Sequence, residues 1–170
     1  MIREVEGDIL LSQAEAIAHG IAPADHFTHG LAMALRERFP AMAKDFRHYC
    51  QQKHPKPGEA WLWGGADRDS GSIRIVNLLT QQPAADASGT PGKATLPNVN
   101  HALKNLAELI VEEGIGSIAL PRLATGVGGL DWVDVRPLVV KHLSGLGIPV
   151  VIYTTYHKGV RADEKLAKAA

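Results

Sequence analysis

Three short stretches carry residue types and spacings that could do chemistry. The strongest is Leu120-Pro121-Arg122-Leu123-Ala124-Thr125-Gly126-Val127-Gly128-Gly129-Leu130-Asp131-Trp132. It reads as a strand end, a glycine-rich loop and a helix start. Glycines let main-chain N–H groups approach an anion without side-chain obstruction. Concave amide clusters and helix N-termini suit phosphate. The loop has no Gly-Lys-Ser/Thr, so it is not a P-loop, and its glycines lack the G-x-G-x-x-G spacing of a dinucleotide fingerprint. Taken alone, it could equally be a tight turn that needs unusual backbone angles.

The second stretch runs from Ala18-His19-Gly20-Ile21 through Thr28-His29-Gly30 to Leu31-Ala32. It offers another helix start that could face a phosphate. His19 and His29 could bond a ligand, although a lone histidine is by default a structural residue. Asp25, His26 and His29 match no zinc spacing, so no metal is expected. The third stretch is Gly7-Asp8-Ile9-Leu10. Asp8 either caps the following turn or accepts a hydrogen bond from an amine such as that of adenine.

These stretches need a scaffold, and the hydrophobic pattern supplies one. Ile2 to Glu6, Ala16 to Ile21, Glu59 to Trp63, Ile73 to Leu79, Ile118 to Leu120 and Val150 to Thr155 read as strands. Gly64-Gly65 and Gly71 flank a hairpin-like connection between the third and fourth. Leu31, Ala34, Leu35 and Phe39 share a helical face, and Pro40 ends that helix or begins the next, which carries Met42, Phe46 and Tyr49. Val99, Leu103, Leu106, Ile110 and Val111 form the clearest helical stripe, with Gly114 as its terminator. His101 is expected to be exposed or capping ahead of it. Asp131 can cap the last helix, with Asp134 in its first turn. Trp61 and Trp63 share one sheet face and are expected to pack on a helix, and Cys50 is expected to be inert. Apolar strands alternating with amphipathic helices predict a three-layer α/β/α domain around a mixed, mainly parallel sheet. Its expected extent is 1–158, followed by a polar, fraying tail over 159–170.

The 170 residues suit one domain. Lys plus Arg equals Asp plus Glu at 18 each, so no global field is available to coat nucleic acid. One cysteine permits no internal disulfide and points to a reducing compartment. Acidic residues near the start and the lack of any long apolar run predict a cytoplasmic protein without membrane contact, expected to be a monomer.

Taken together in this order, Gly7-Asp8-Ile9-Leu10, Ala18-His19-Gly20-Ile21 with His29-Gly30-Leu31-Ala32, and Pro121-Arg122-Leu123 with Thr125 to Trp132 resemble a macrodomain. The likeness is to the branch of the terminal ADP-ribose protein glycohydrolase and the DNA ADP-ribosyl glycohydrolase antitoxins, over roughly residues 1 to 156. It implies ADP-ribose lying across the strand ends. Asp8 and Ile9 would hold adenine, against an aromatic wall from Tyr153 or Tyr156. The Gly30 helix start with Leu31, and the loop Leu123, Thr125, Gly126, Val127, Gly128 and Gly129, would clasp the diphosphate. His19, Gly20, Thr80, Gln81 and Gln82 would approach the distal ribose.

Two departures accompany the likeness. In hydrolases of this branch a lysine follows the strand-end threonine that matches Thr80; here Gln81 stands there, followed by Gln82. The protein glycohydrolase has an aspartate in its second loop that lines up near Gly128. Glutamine is neither a covalent nucleophile of that kind nor a general base. Catalysis would then rest on a water held by Gln81 or Gln82, or on Asp86 or Lys93 from the 81–94 loop folding over the ligand. The expected function is a mono-ADP-ribosyl hydrolase acting on modified protein carboxylates or nucleic acid, with no cofactor. The alternatives are a non-catalytic ADP-ribose reader and an ADP-ribose 1″-phosphate phosphatase. The chain reads as a free-standing domain with no second module for a reader to direct, which favours the hydrolase.

Overall fold

A computed structural model describes residues 1–67, 71–85 and 90–166. Its strands are β1 (Ile2–Gly7), β2 (Ala16–Ile21), β3 (Ala60–Asp67), β4 (Gly71–Leu79), β5 (Ile118–Pro121) and β6 (Val150–Tyr156). They form one sheet in the order β1-β6-β5-β2-β4-β3. All neighbours are parallel except the edge pair β3 and β4. The helices are α1 (Gly30–Arg38), α2 (Pro40–Lys53), α3 (Leu96–Glu112) and α4 (Trp132–Leu143).

Strand side chains alternate between the two faces, and both faces are apolar. On one face Ala16, Ala18, Val76, Leu78, Leu120 and Ile152 pack against Val99, Leu103 and Leu106 of α3 and Val135 and Val139 of α4. On the other, Ile17, Ile21, Ile75, Leu79 and Val151 pack against Leu35 of α1 and Met42, Phe46 and Cys50 of α2. The predicted α/β/α layering is therefore the observed one, with a core on each side of a mainly parallel sheet. Trp61 stacks on Tyr49 of α2 at 5.1 Å, and the Trp63 indole N–H donates to Asp45 at 2.8 Å. Cys50 is buried, and burial raises its thiol pKa. Among the described residues, no helix is long and apolar enough to cross a membrane.

Several local expectations are corrected. Gly64 and Gly65 lie inside β3, not in the connection. The Trp63 ring folds over Gly65, where an added Cβ would sit 2.1 Å from it. Pro40 begins α2 at its first turn, the position where its missing N–H costs nothing. His101 lies within α3, exposed, because Thr95 caps that helix three residues before Asn98. Asp131 occupies the N-cap position of α4 but makes no side-chain cap bond. The stretch from Arg161 to Leu166 does not fray. It lies on the body because Glu164 accepts hydrogen bonds from Ser12 and the Gln13 amide, and Ala162 and Leu166 pack on the core.

Candidate functional site

Parallel strands expose their carboxyl ends together, and a crevice opens where neighbouring strands send their connections to opposite faces. Here β2 and β5 are those neighbours. The chain leaves β2 toward α1 on one face and leaves β5 toward α4 on the other. Between the two exits lies a cleft of two lobes that share Gly30, Leu31 and Pro121.

The first lobe, of about 270 Å³, is the more polar of the two. His19, Gly20, Asp25, His29, Gly30 and Gln81 line it from one side, and Arg122, Leu123, Gly126, Val127 and Gly128 from the other. The second, of about 370 Å³, is apolar and is lined by Gly7, Ile9, Ala34, Tyr153 and Tyr156 besides the shared residues. Volumes of this order suit small ligands, whose cavities run to ~300–1,000 Å³.

Two loops build the polar lobe. In residues 22–29, Asp25 accepts hydrogen bonds from the amides of Ala22 at 3.1 Å and Phe27 at 2.8 Å. This staple accommodates left-handed backbone at Ala24 and at buried Phe27, both with φ 57°. His29 then occupies the N-cap position of α1 without a side-chain cap bond, leaving first-turn amides available to a ligand. In residues 122–130, Gly129 donates to the Gly126 carbonyl and Leu130 to the Ala124 carbonyl, both at 3.0 Å. The amides of Gly126, Val127 and Gly128 have no partner among the described residues. That loop is an amide nest suited to an anion.

His19 is buried on β2, with Nε2 2.7 Å from the Asn77 side-chain oxygen and Nδ1 without a partner. Burial lowers its pKa from 6.5 to about 4, against the opposing pull of Asn77 and Asp25. It is therefore neutral near pH 7 and offers a lone pair or a single N–H according to tautomer. Gln81 sits at the floor of the polar lobe. Its side-chain amide donates to the Gly92 carbonyl at 3.2 Å, and its backbone bridges to Ala94.

The cleft thus brings together Ile9, His19, Gly20, His29, Gly30, Leu31, Gln81, Leu123, Gly126, Val127, Gly128 and Tyr153. Other expected residues lie around it. Asp8 is buried behind the apolar lobe, its carboxylate taken by the Leu10 and Gly159 amides at 3.0 and 2.9 Å. Thr80 is buried against Gly20, and Thr125 bonds back to the Arg122 carbonyl. Gly129 faces the Lys93 side chain. Gln82 is exposed and pairs through its backbone with Lys93 and Gly92, outside the lining of either lobe. Asp86 lies outside the described residues. Sequence reasoning weighed Asp25 only as a metal ligand; its place two residues before Phe27 was the available sign of an Asx staple. Among the described residues, no cluster of three His, Cys, Asp or Glu could hold a metal ion.

A sheet covered on both faces, with unpaired loop amides and an apolar lobe at its strand ends, defines an α/β domain with a ligand-sized cleft. The chain belongs to the Macro domain family, whose model matches residues 24–139. It is 30% identical over 169 residues to a DNA ADP-ribosyl transferase–DNA ADP-ribosyl glycohydrolase fusion protein of Thermosipho africanus, covering 92% of this chain and 42% of that one. The chain thus spans well under half the length of that relative. It is 23% identical to the human ADP-ribose glycohydrolase OARD1, covering 90% and 91% of the two chains. The solved macrodomain of Mycobacterium tuberculosis DarG superposes with a TM-score of 0.77 at 26% identity, covering 90% of this chain and 97% of that one.

Proposed function

We propose that this chain binds ADP-ribose and releases it from modified protein carboxylates or nucleic acid, as a mono-ADP-ribosyl hydrolase without the usual lysine. One observation carries the reading: an apolar lobe walled by Tyr153 runs into an amide-lined lobe between two loops. An adenosine occupies the first, a diphosphate spans the shared Gly30 and Leu31, and the distal ribose enters the second beside His19 and Gln81. The names of the relatives, glycohydrolases of ADP-ribose linkages, support the same reading.

In the proposed step, the bond from C1″ to the leaving group breaks with its electron pair going to the leaving group. An oxocarbenium-like carbon forms and water adds to it. The water's proton is passed, through the substrate's diphosphate, to the leaving group. Gln81 orients that water with its side-chain oxygen, while the nest and the helix start fix the diphosphate. One observation favours a second reading, a reader without turnover: the Gln81 side chain is already tied to Gly92.

Incubation with ADP-ribosylated protein and ADP-ribosylated DNA separates the two. Release of free ADP-ribose supports the hydrolase. Calorimetric binding of ADP-ribose without release leaves the reader, and absence of binding removes both.

A further inference from the structure

The segment after β6 crosses back over the junction between β1 and the short turn Ile9–Leu11. It grips that turn at both ends. At the leading end the Asp8 amide donates to the Val160 carbonyl at 2.7 Å, and the Gly159 amide donates to the Asp8 carboxylate at 2.9 Å. At the trailing end Glu164 accepts from the Ser12 hydroxyl at 2.6 Å and the Gln13 amide at 2.8 Å. There is no slack beneath: a Cβ on Gly7 would sit 2.8 Å from the Val160 oxygen.

Glu164 is only 9% exposed. A carboxylate that buried is costly without partners, and its hydrogen-bond partners Ser12 and Gln13 directly follow the turn. Gly7 at the end of β1 and Ile9 in the turn line the apolar lobe, and so does Tyr153, whose hydroxyl is buried near Glu164 and Ser12. Residues 159–166 line neither lobe. The segment therefore acts on the lobe through the turn and Tyr153, and not by contact with a ligand.

We infer that residues 159–166 form a strap that sets the shape of the nucleoside lobe, with Glu164 as its positioning residue. The inference rests on the apolar lobe being the adenosine site proposed above. Coupling of this kind is reciprocal: if the strap shapes the lobe, a ligand in the lobe steadies the strap.

The test is amide hydrogen exchange and calorimetry on the full chain with ADP-ribose. In the wild type, ADP-ribose should slow exchange over 159–166 as well as over the cleft. Glu164→Ala should weaken ADP-ribose binding about tenfold, within the usual range of such couplings, and speed exchange over 8–13. Glu164→Gln keeps an oxygen for the Gln13 amide and should recover most of the affinity. Ser12→Ala, a milder lesion, should fall between and serves if Glu164→Ala does not fold. Wild-type binding with unchanged strap exchange, and affinity within twofold in Glu164→Ala or Ser12→Ala, would overturn the strap while leaving the proposed function intact. No wild-type binding would overturn both.

Discussion

The two loops that flank the polar lobe solve one problem by different physics. Both must turn a chain leaving a parallel strand into a helix while pointing amides at a common space. The 122–130 loop does so with backbone: glycines at 126, 128 and 129, and carbonyl-to-amide bonds inside the loop. The 22–29 loop has glycine only where the helix begins. It uses the Asp25 carboxylate as a staple and the Phe27 ring as an anchor, with the ring meeting Phe46 edge-on at 5.3 Å. A backbone-built loop tolerates little added volume, whereas a side-chain-built loop tolerates little removed. That contrast orders the expected effects.

The largest effect on affinity falls on Gly128. A Cβ there would lie 2.6 Å from the Ala124 carbonyl oxygen, which is backbone and cannot step aside. Gly128→Val should reduce ADP-ribose affinity by ~30-fold or more, ~2 kcal/mol, as read by calorimetry. Affinity within threefold of wild type would mean that this loop is not the anion cradle.

In the other loop the damage comes from removal. Phe27 is 1% exposed, and Phe27→Ala should cost ~3–5 kcal/mol of stability in denaturant unfolding. Asp25→Ala releases two amides at once and should cost ~2–3 kcal/mol, since hydrogen bonds to a charged group are worth more than neutral ones. ADP-ribose affinity should drop with it by about tenfold, while Asp25→Asn, which retains an acceptor for Phe27, falls less. If both Asp25 variants bind and melt like wild type, the staple has no role.

Acid should distinguish the loops too. The His19 ring lies 6.2 Å from that of Phe27, under the 22–29 loop. Its folded pKa is lowered to about 4 from 6.5. Between those values the unfolded chain binds a proton that the folded chain refuses. Stability is therefore fully present above pH 6.5 and falls as pH drops toward 4, by ~2 kcal/mol at pH 5. His19→Gln should remove that slope from a pH series of melting temperatures. A slope unchanged by the substitution would assign it to other groups.

The same contrast decides what the sequence could reveal. The second loop was legible because glycine announces unusual backbone, and Asp131 and Asp134 after it announce a helix start. The bounds of β2, the two-helix break at Pro40 and the layer architecture followed from periodicity and proline chemistry. The first loop hid its shape, since a phenylalanine at positive φ has no signature in composition. The strap hid for a related reason: residues 161–166 are mostly polar, and long-range pairing of Glu164 with Ser12 and Gln13, together with packing of Ala162 and Leu166, holds them down. Gln81 was found by its place after Thr80, but its tie to Gly92 depends on a loop return that no local pattern encodes.

The smallest effect probes the backbone account of the second loop at its one non-glycine in left-handed conformation, Ala124 with φ 62°. Alanine there costs ~1–2 kcal/mol relative to a residue without a Cβ. Glycine in its place would relieve that strain but loses ~0.5–1 kcal/mol to the greater freedom of the unfolded chain. Ala124→Gly should therefore leave stability unchanged or raise it by up to ~1 kcal/mol, seen as a small rise in Tm. At Phe27 the same relief of φ cannot offset the lost ring. A clear fall in Tm for Ala124→Gly would show that the Ala124 methyl, partly packed against the core, anchors its loop as Phe27 anchors the other, and the distinction between the two designs would collapse.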